Sequence, residues 1–230
     1  MNNKITVGIV GIGRLGTALA NKFSSETDLL LADKVNKKAV NLANAISAKA
    51  VKLSDIFNKS EVLIIAVPPD QIIPLIRKYA KLLRPNTIVV NMATSVSTSE
   101  VEQVINRKDV KIVGLKMVGQ AHALSLGMKA VFVSSAKDKK SISVLRKLFS
   151  TFGMIITGDE MKAGEINAIA TRFGLSLAIG LRDRLKKICN SEDIINAAIK
   201  TVAVGTILDY PLQEPNEYIN QRLKELKKWK

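Results

Sequence analysis

Three glycines near the start of the chain have the spacing G-x-G-x-x-G: Gly11, Gly13 and Gly16. They follow the apolar run ITVGIV, which is typical of a buried strand, and they open the helical pattern RLGTALANKF. At such a junction the first glycine permits a tight turn, the second lets a pyrophosphate approach the backbone, and the third lets the helix pack close to the strand. The start of the helix, with Arg14 and Leu15, would face the phosphate charge. The spacing and its context predict a dinucleotide-binding turn.

The residues after the second strand-like run, DLLLA, bear on which dinucleotide would bind. An acidic residue at the position of Asp33 usually holds the ribose hydroxyls of NAD. The side chains that follow offer the cationic and polar contacts that the 2′-phosphate of NADP needs: Lys34, Asn36, Lys37 and Lys38. The pattern favours NADP, with NAD as the alternative and a solvated helix start as the plain interpretation of the lysines.

A nicotinamide that transfers a hydride needs a proton source or a cation beside the developing charge. Three residues are candidates for this catalytic role. Lys116 and His122 lie on the expected loop after the strand-like run VKIVGL, at the carboxyl edge of the sheet, and Thr171 lies on the facing helix. A surface position for Lys116 and a solvated loop position for His122 are the alternatives.

The elements that must position these residues alternate in type through the first two thirds of the chain. Apolar strand-like runs are separated by segments with helical spacing, which is typical of a parallel sheet covered by helices. After MIITGDE no further strand pattern follows. We predict an α/β fold with a doubly wound, mainly parallel Rossmann domain over residues 1–157 and a small all-α domain over residues 158–230.

The first long helix of the second domain is apolar on more than one face between Ile166 and Leu181. Such a helix needs burial on most of its surface, and a domain of this size cannot cover it alone. We therefore expect a homodimer formed through the C-terminal helices, around the small-residue face of Gly174 and Ala178. A helical cap that folds back on its own sheet is the alternative.

Composition limits the partners of this protein. The 230 residues are 47% hydrophobic and 24% charged, and no apolar run reaches the length needed to span a bilayer, so we expect a cytoplasmic protein without a membrane segment. With one cysteine, Cys189, and one histidine, no metal site is expected. The net charge of +15 lies mostly in residues 1–150, but aromatics are only 4% of the chain. A lysine-rich surface or a phosphate-bearing ligand is favoured over nucleic acid.

Four segments together resemble the pyrroline-5-carboxylate reductases and their relatives in the 6-phosphogluconate-dehydrogenase-like superfamily: GIVGIGRLGTALA, LLLADKVNKKAVNLA, EVLIIAVPPDQI and TIVVNMATSVSTSEVEQVI. In that family a strand ending in A-V-K-P-Q lies beside the nicotinamide, and the matching residues are Ala66, Val67 and Pro68. The family's segment S-I-A-A-G matches the stretch that contains Asn91 and Ala93. The resemblance implies that these residues bind the cofactor, that the Rossmann domain is joined to a helical dimerisation domain, and that a hydride passes from NAD(P)H to a C=N bond.

The part of the chain that would bind substrate departs from this family. Where the family has M-P-N-T-P-A, the chain has MVGQAH at residues 117–122. Where the family has T-A-x-S-G-S-G-P-A, the chain has ATRFGLSLA at residues 170–178, with Gly174 and Ala178 alone in register. The family's last helix, with its glycine-threonine motif, is either missing or replaced by PNEYINQRLKELKKWK. The cofactor half of the family pattern is kept, and the substrate half is changed.

We therefore expect an NAD(P)H-dependent oxidoreductase that reduces a small imine or carbonyl compound. One alternative is a dinucleotide-binding regulatory or assembly protein without turnover, because the substrate motif is missing. Another is a dehydrogenase of the prephenate or β-hydroxyacid type. The β-hydroxyacid branch expects a lysine shortly before paired asparagines, and the spacing of Lys162 and the lone Asn167 fits this poorly.

Overall fold

The computed structural model describes residues 4–209 of the chain. The chain divides into two compact units, Met1–Ala168 and Ile169–Lys230. This division lies inside a long helix, later in the chain than the predicted boundary between residues 157 and 158. The segment PNEYINQRLKELKKWK, which was compared with the family's last helix in the sequence, lies outside the described residues.

Six parallel strands form the main sheet of the first unit, in the order β3-β2-β1-β4-β5-β6. Their bounds are β1 Thr6–Val10, β2 Asp28–Ala32, β3 Lys49–Ala50, β4 Val62–Ile65, β5 Ile88–Asn91 and β6 Lys111–Gly114. The central strands are buried and apolar on both faces, as expected for a sheet covered on both sides. The strand order reverses between β1 and β4, which opens a crevice at their carboxyl ends. The predicted doubly wound Rossmann fold is confirmed.

Helices cover both faces of this sheet. They are α1 Arg14–Phe23, α2 Asn36–Ala45, α3 Leu53–Lys59, α4 Pro69–Tyr79 and α5 Thr98–Ile105, with a 3₁₀ turn at Ala80–Leu82 after α4. Helices α1 and α2 cover the face to which Val7 and Ile9 of β1 point. Helices α3, α4 and α5 cover the face to which Val10 points. Both sides of the sheet therefore contribute a hydrophobic core.

After β6 the chain forms a second sheet of three strands, in the order β7-β8-β9. Its strands and helices are β7 Lys116–Val118, α6 Ala121–Ser125, β8 Ala130–Ser134, α7 Lys139–Phe149 and β9 Gly153–Thr157. Strand β7 is antiparallel to β8, and β9 is parallel to it. Met117 pairs with Phe132, and both side chains are buried in the core that contains Phe149. The predicted loop position of Lys116 is wrong, because the burial of Met117 draws this segment into a strand.

Every described element after β9 is helical, in agreement with the predicted all-α region. The elements are α8 Lys162–Leu185, α9 Glu192–Ala197, a π-helical turn at Ala198–Ala203, and α10 Val204–Asp209. In the described part of the second unit, most apolar side chains are exposed, including Phe173 at 73%. Across residues 4–209, the helices lack the combination of length and apolar character that crossing a bilayer requires.

Candidate functional site

The glycine-rich turn between β1 and α1 has the backbone geometry that a dinucleotide needs. Gly11 has φ of +98°, a conformation that favours glycine, and a Cβ there would lie 2.6 Å from the carbonyl oxygen of Ala66. A Cβ on Gly16 would overlap the carbonyl oxygen of Gly11, so the helix can approach the turn only without a side chain. A Cβ on Gly13 would meet nothing within 4 Å. The backbone is therefore open to a ligand at Gly13 and closely packed at the other two glycines.

Helix α1 begins at this turn without a side-chain cap. Its N-cap residue is Gly13, its first turn contains no acidic residue, and Arg14 is exposed while Leu15 is partly buried. The first N–H groups of a helix lack partners within the helix and carry partial positive charge. The turn can therefore bind an anionic group such as a pyrophosphate.

The carboxylate of Asp33 fixes this turn from the end of β2. One oxygen, Oδ2, accepts a hydrogen bond of 2.7 Å from the backbone N–H of Ile12, and Oδ1 accepts one of 2.8 Å from that of Val35. Both oxygens therefore bind the backbone of the first unit. The sequence pattern indicated a ribose contact for Asp33 and did not indicate this support of the turn.

A cleft of about 580 Å³ opens at the carboxyl ends of β1, β2 and β4. Seven of the predicted cofactor-binding residues line it: Gly11, Gly13, Asp33, Lys34, Ala66, Val67 and Pro68. Asn36 and Lys37 are exposed at the start of α2 and do not line it. The cleft therefore brings together the turn, the end of β2 and the end of β4, although these lie far apart in sequence.

Three lysines line this cleft from two different elements. Lys34 and Lys38 come from the segment after β2, and Lys78 comes from α4. The ammonium of Lys78 lies 5.3 Å from the ring centroid of Tyr79, which also lines the cleft. Two acidic residues, Asp33 and Asp70, line it as well. The sequence analysis missed Lys78, because only the fold brings α4 to the end of β2.

Asn91 and Ala93 lie beside β4, at the end of β5. The side chain of Asn91 is fully buried, its Nδ2 donates to the carbonyl of Val96 at 2.9 Å, and its Oδ1 accepts from the N–H of Ala93 at 3.1 Å. The amide of Asn91 is thus engaged within its own loop. It supports the wall of the site and does not form part of its surface.

Lys116 is fully buried, so the surface alternative for this residue is wrong. Its Nζ donates to the carbonyl oxygens of Val96 at 2.7 Å and of Asn91 at 3.2 Å. Burial lowers the pKa of Lys116 from 10.5 to about 8, and the negative charges of Glu160 and Glu100 act in the opposite direction. This burial does not favour direct contact between Lys116 and a substrate.

The other two predicted catalytic residues do not line the cleft. His122 lies in the short helix α6, where it is exposed, and α6 packs against α1. Thr171 is exposed on α8 and belongs to the second unit. Both side chains are accessible, and their catalytic roles stay predictions.

Glu160 was missed by the sequence analysis, although it is only 3% exposed. Its carboxylate accepts from the N–H of Thr98 at 3.0 Å, from the hydroxyl of Thr98 at 2.6 Å and from the hydroxyl of Ser135 at 3.0 Å. These contacts hold the start of α5 against the end of β8. The available signal was an acidic residue between a strand and an apolar helix, which by itself does not predict burial.

Asn167 has a structural role in the first unit. Its Nδ2 donates to the carbonyl of Met117 at 2.7 Å, and its Oδ1 accepts from the N–H of Gly119 at 3.1 Å. Lys162, which precedes it on α8, is exposed. The amide of Asn167 is therefore occupied by backbone groups, which does not favour the β-hydroxyacid dehydrogenase alternative. Within residues 4–209, no group of three His, Cys, Asp or Glu side chains could hold a metal ion.

Comparisons with known proteins agree with this geometry. Residues 6–95 match the family model described as NADP oxidoreductase coenzyme F420-dependent. The structure is similar to that of pyrroline carboxylate reductase from Plasmodium falciparum with NADP bound, with a TM-score of 0.74 and 16% identity over 97% of this chain and 84% of that chain.

Two curated proteins are similar in sequence. The NAD(P)+ glycerol-3-phosphate dehydrogenase of Listeria innocua is 26% identical over 87% of this chain and 68% of that protein. ComE operon protein 4 of Bacillus subtilis is 24% identical over 43% of this chain, and the match spans only 39% of that protein.

The comparisons confirm the predicted fold and the resemblance to pyrroline-5-carboxylate reductases. The family model covers the glycine-rich turn, the lysines after β2 and the loop after β4. The segment that it matches ends at residue 95, before α8 begins. Recognisable similarity to this model is thus concentrated in the part of the chain that forms the cleft.

Proposed function

We propose that this protein is an NADPH-dependent oxidoreductase that reduces a small imine or carbonyl compound, on the plan of the pyrroline-5-carboxylate reductases. The observation that carries the proposal is the turn at Gly13, whose backbone is open to a ligand beside the uncapped start of α1. The matches to an NADP oxidoreductase model and to a reductase solved with NADP support it.

Different residues of the cleft would bind the different parts of NADPH. The backbone at Gly13 and the first turn of α1 would hold the pyrophosphate, since the start of this helix has no side-chain cap. Lys34, Lys38 and Lys78 would bind the 2′-phosphate through charge-assisted hydrogen bonds. When bound, NADPH would supply the hydride for the reduction.

The strand order sets the direction in which the other half of the cofactor would extend. The end of β2 lies on one side of the glycine-rich turn, and the ends of β4 and β5 lie on the other. Ala66, Val67 and Pro68 line the cleft at the end of β4, in the place that the resemblance assigns to the nicotinamide. The substrate would bind on that side, and His122 and Thr171, which are both exposed, stay the predicted proton donors.

A second function, dinucleotide binding without turnover, is supported by one observation. Lys116 is one of the three candidate catalytic residues, and it is buried and bonded to two carbonyl groups. With the changed substrate motif, this leaves fewer groups that could assist a reaction. A regulatory or assembly protein with the same cleft would have this arrangement.

A turnover assay distinguishes these functions. The protein is mixed with NADPH and a panel of small cyclic imines, linear imines and carbonyl compounds, and loss of the reduced nicotinamide absorbance is followed. We expect oxidation of NADPH by the wild type with at least one imine or carbonyl. Gly13→Leu should abolish it, because a side chain there blocks the open face of the turn while the fold has room for it. Asn21→Leu, an exposed position in the same helix, is the matched control.

A result in which the wild type binds NADPH but oxidises it with no member of the panel supports the function without turnover. Activity that survives in Gly13→Leu would show that the reaction does not use this turn.

A further inference from the structure

The loop between β5 and α5, residues 92–97, is held by buried polar side chains from three parts of the first unit. Asn91 at the end of β5 bonds the two ends of the loop to each other, through Ala93 and Val96. Lys116 from β7 bonds the carbonyls of Asn91 and Val96. Glu160, two residues before α8, accepts a hydrogen bond from the N–H of Thr98, the first residue of α5. The loop is thus fixed at both of its ends.

A lysine in such a buried contact costs free energy, because its ammonium group is removed from water. Within residues 4–209 it makes no ion pair, so the two carbonyl groups are its direct hydrogen-bond partners. Taking an ammonium out of water costs free energy that carbonyl dipoles offset only in part. The ammonium and the loop therefore depend on each other: movement of the loop would leave a buried charge without partners.

The position of this loop connects it with the cleft. Strand β5 pairs with β4 in a parallel register in which Ile65 is opposite Asn91. The residue after Ile65 is Ala66, which lines the cleft, and the residue after Asn91 begins the loop. Neighbouring strands lie about 4.8 Å apart, so the two chain segments leave the sheet side by side.

We propose that Lys116 is a positioning residue that holds the loop of residues 92–97 against the nicotinamide half of a bound NADPH. This inference rests on the proposed binding of NADPH in the cleft. Lys116 acts through the loop and does not touch the cofactor. The adenosine half would bind at the other side of the glycine-rich turn, among the lysines after β2, and does not depend on the loop.

The proposal predicts that the loss of Lys116 weakens binding of the nicotinamide half of the cofactor and leaves binding of the adenosine half nearly unchanged. Lys116→Met keeps the length of the side chain and removes the charge and the donors. We expect it to weaken NADPH binding at least about tenfold and to change the binding of 2′,5′-ADP, the adenosine half alone, by less than about twofold. Lys111→Met, the same change at an exposed lysine of β6, should leave both affinities unchanged.

A residue with a merely structural role would not give this split, because general damage to the fold weakens both ligands and a silent substitution weakens neither. Equal affinities of Lys116→Met and wild type for NADPH would overturn the proposal, and so would equal losses for both ligands. Wild-type protein that binds neither ligand would refute the proposed function itself, which is a different outcome.

Hydrogen exchange in the protein without cofactor tests the positioning directly. The N–H groups of Ala93 and Thr98 donate to side chains that hold the loop, and they should exchange faster in Lys116→Met than in wild type. The N–H groups of β2, at the far side of the turn, should be unchanged. Unchanged exchange at both loop positions would contradict the proposal. If Lys116→Met does not fold, Lys116→Gln is measured in the same way, with the same results expected.

Discussion

A substitution at Lys34 tests whether the protein prefers NADPH to NADH. It lines the cleft at the end of β2, whereas Lys37, in the same basic segment, is exposed outside it. We expect Lys34→Glu to weaken NADPH at least about tenfold and NADH by less than about threefold, because the 2′-phosphate would lose a charge-assisted contact and meet a like charge. Titration of both cofactors measures the ratio.

The matched control for this prediction is Lys37→Glu, which makes the same change in net charge. It should reduce both affinities only slightly, through the general field of the surface. Equal losses for NADPH and NADH in Lys34→Glu would mean that Lys34 does not recognise the 2′-phosphate.

Lys116 gives a second prediction at the residue scale, because burial lowers its pKa to about 8. Between about pH 8 and pH 10.5 the unfolded chain keeps the proton on this lysine while the folded chain loses it. The free energy of unfolding should therefore rise with pH in this range. From pH 7 to pH 9.5 we expect the wild type to gain about 2 kcal/mol relative to Lys116→Met.

Urea unfolding of the two proteins across this pH range measures that difference. A constant difference between wild type and Lys116→Met would show that Lys116 titrates near its ordinary pKa in the folded protein.

At the scale of elements, the packing of α1 on β1 depends on Gly16. A Cβ at this position would overlap the carbonyl oxygen of Gly11, which is backbone and cannot move away without distorting the turn. We expect Gly16→Ala to lower the free energy of unfolding by about 2 kcal/mol or more. Gly13→Ala, where a Cβ meets open space, should cost less than about 1 kcal/mol.

Urea denaturation of both variants gives this comparison. A Gly16→Ala protein as stable as the wild type would show that helix and strand do not approach as closely as described.

The sequence predicted the elements whose patterns are local. The run before Gly11 is apolar, the glycine spacing marks the turn, and the helix after it has clear periodicity, so all three were predictable. Strand β3 was not, because Lys49–Ala50 is too short to show alternation. Strand β7 was missed because it is three residues long and begins with a lysine, so that only its tertiary pairing with β8 identifies it as a strand.

The residues of the candidate site also fall into two groups: those that a local motif predicts and those that depend on tertiary contacts. The glycines and the residues at the ends of β2 and β4 could be predicted, since a known motif fixes their spacing. The roles of Lys78, Lys116 and Glu160 could not, because each depends on contacts between elements that are distant in sequence. A buried lysine and a surface lysine look alike in a single sequence.

At the scale of the whole molecule, a homodimer remains our prediction. Three apolar residues spaced four apart on α8 share one face and are exposed: Ile169 at 48%, Phe173 at 73% and Leu177 at 45%. Gly174 and Ala178 lie beside this face and allow close approach of another helix. An apolar surface of this kind in a helical unit is typical of an interface.

Ala178→Arg tests the dimer. An arginine at this position would be too large for a close helix contact and would bury an unpaired charge. Light scattering should find a dimer for the wild type and a monomer or insoluble protein for the variant. Lys186→Arg, at an exposed position directly after α8 where the charge is kept, should remain dimeric. A monodisperse wild-type monomer would refute the prediction.

The cleft beside the glycine-rich turn should bind NADPH. Calorimetric titration of the wild-type protein with NADPH and with NADH tests it most directly, since it needs no knowledge of the substrate. We predict saturable binding of one NADPH per chain, with an affinity at least about tenfold higher than for NADH. Wild-type protein that binds neither dinucleotide would show that this cleft is not a cofactor site.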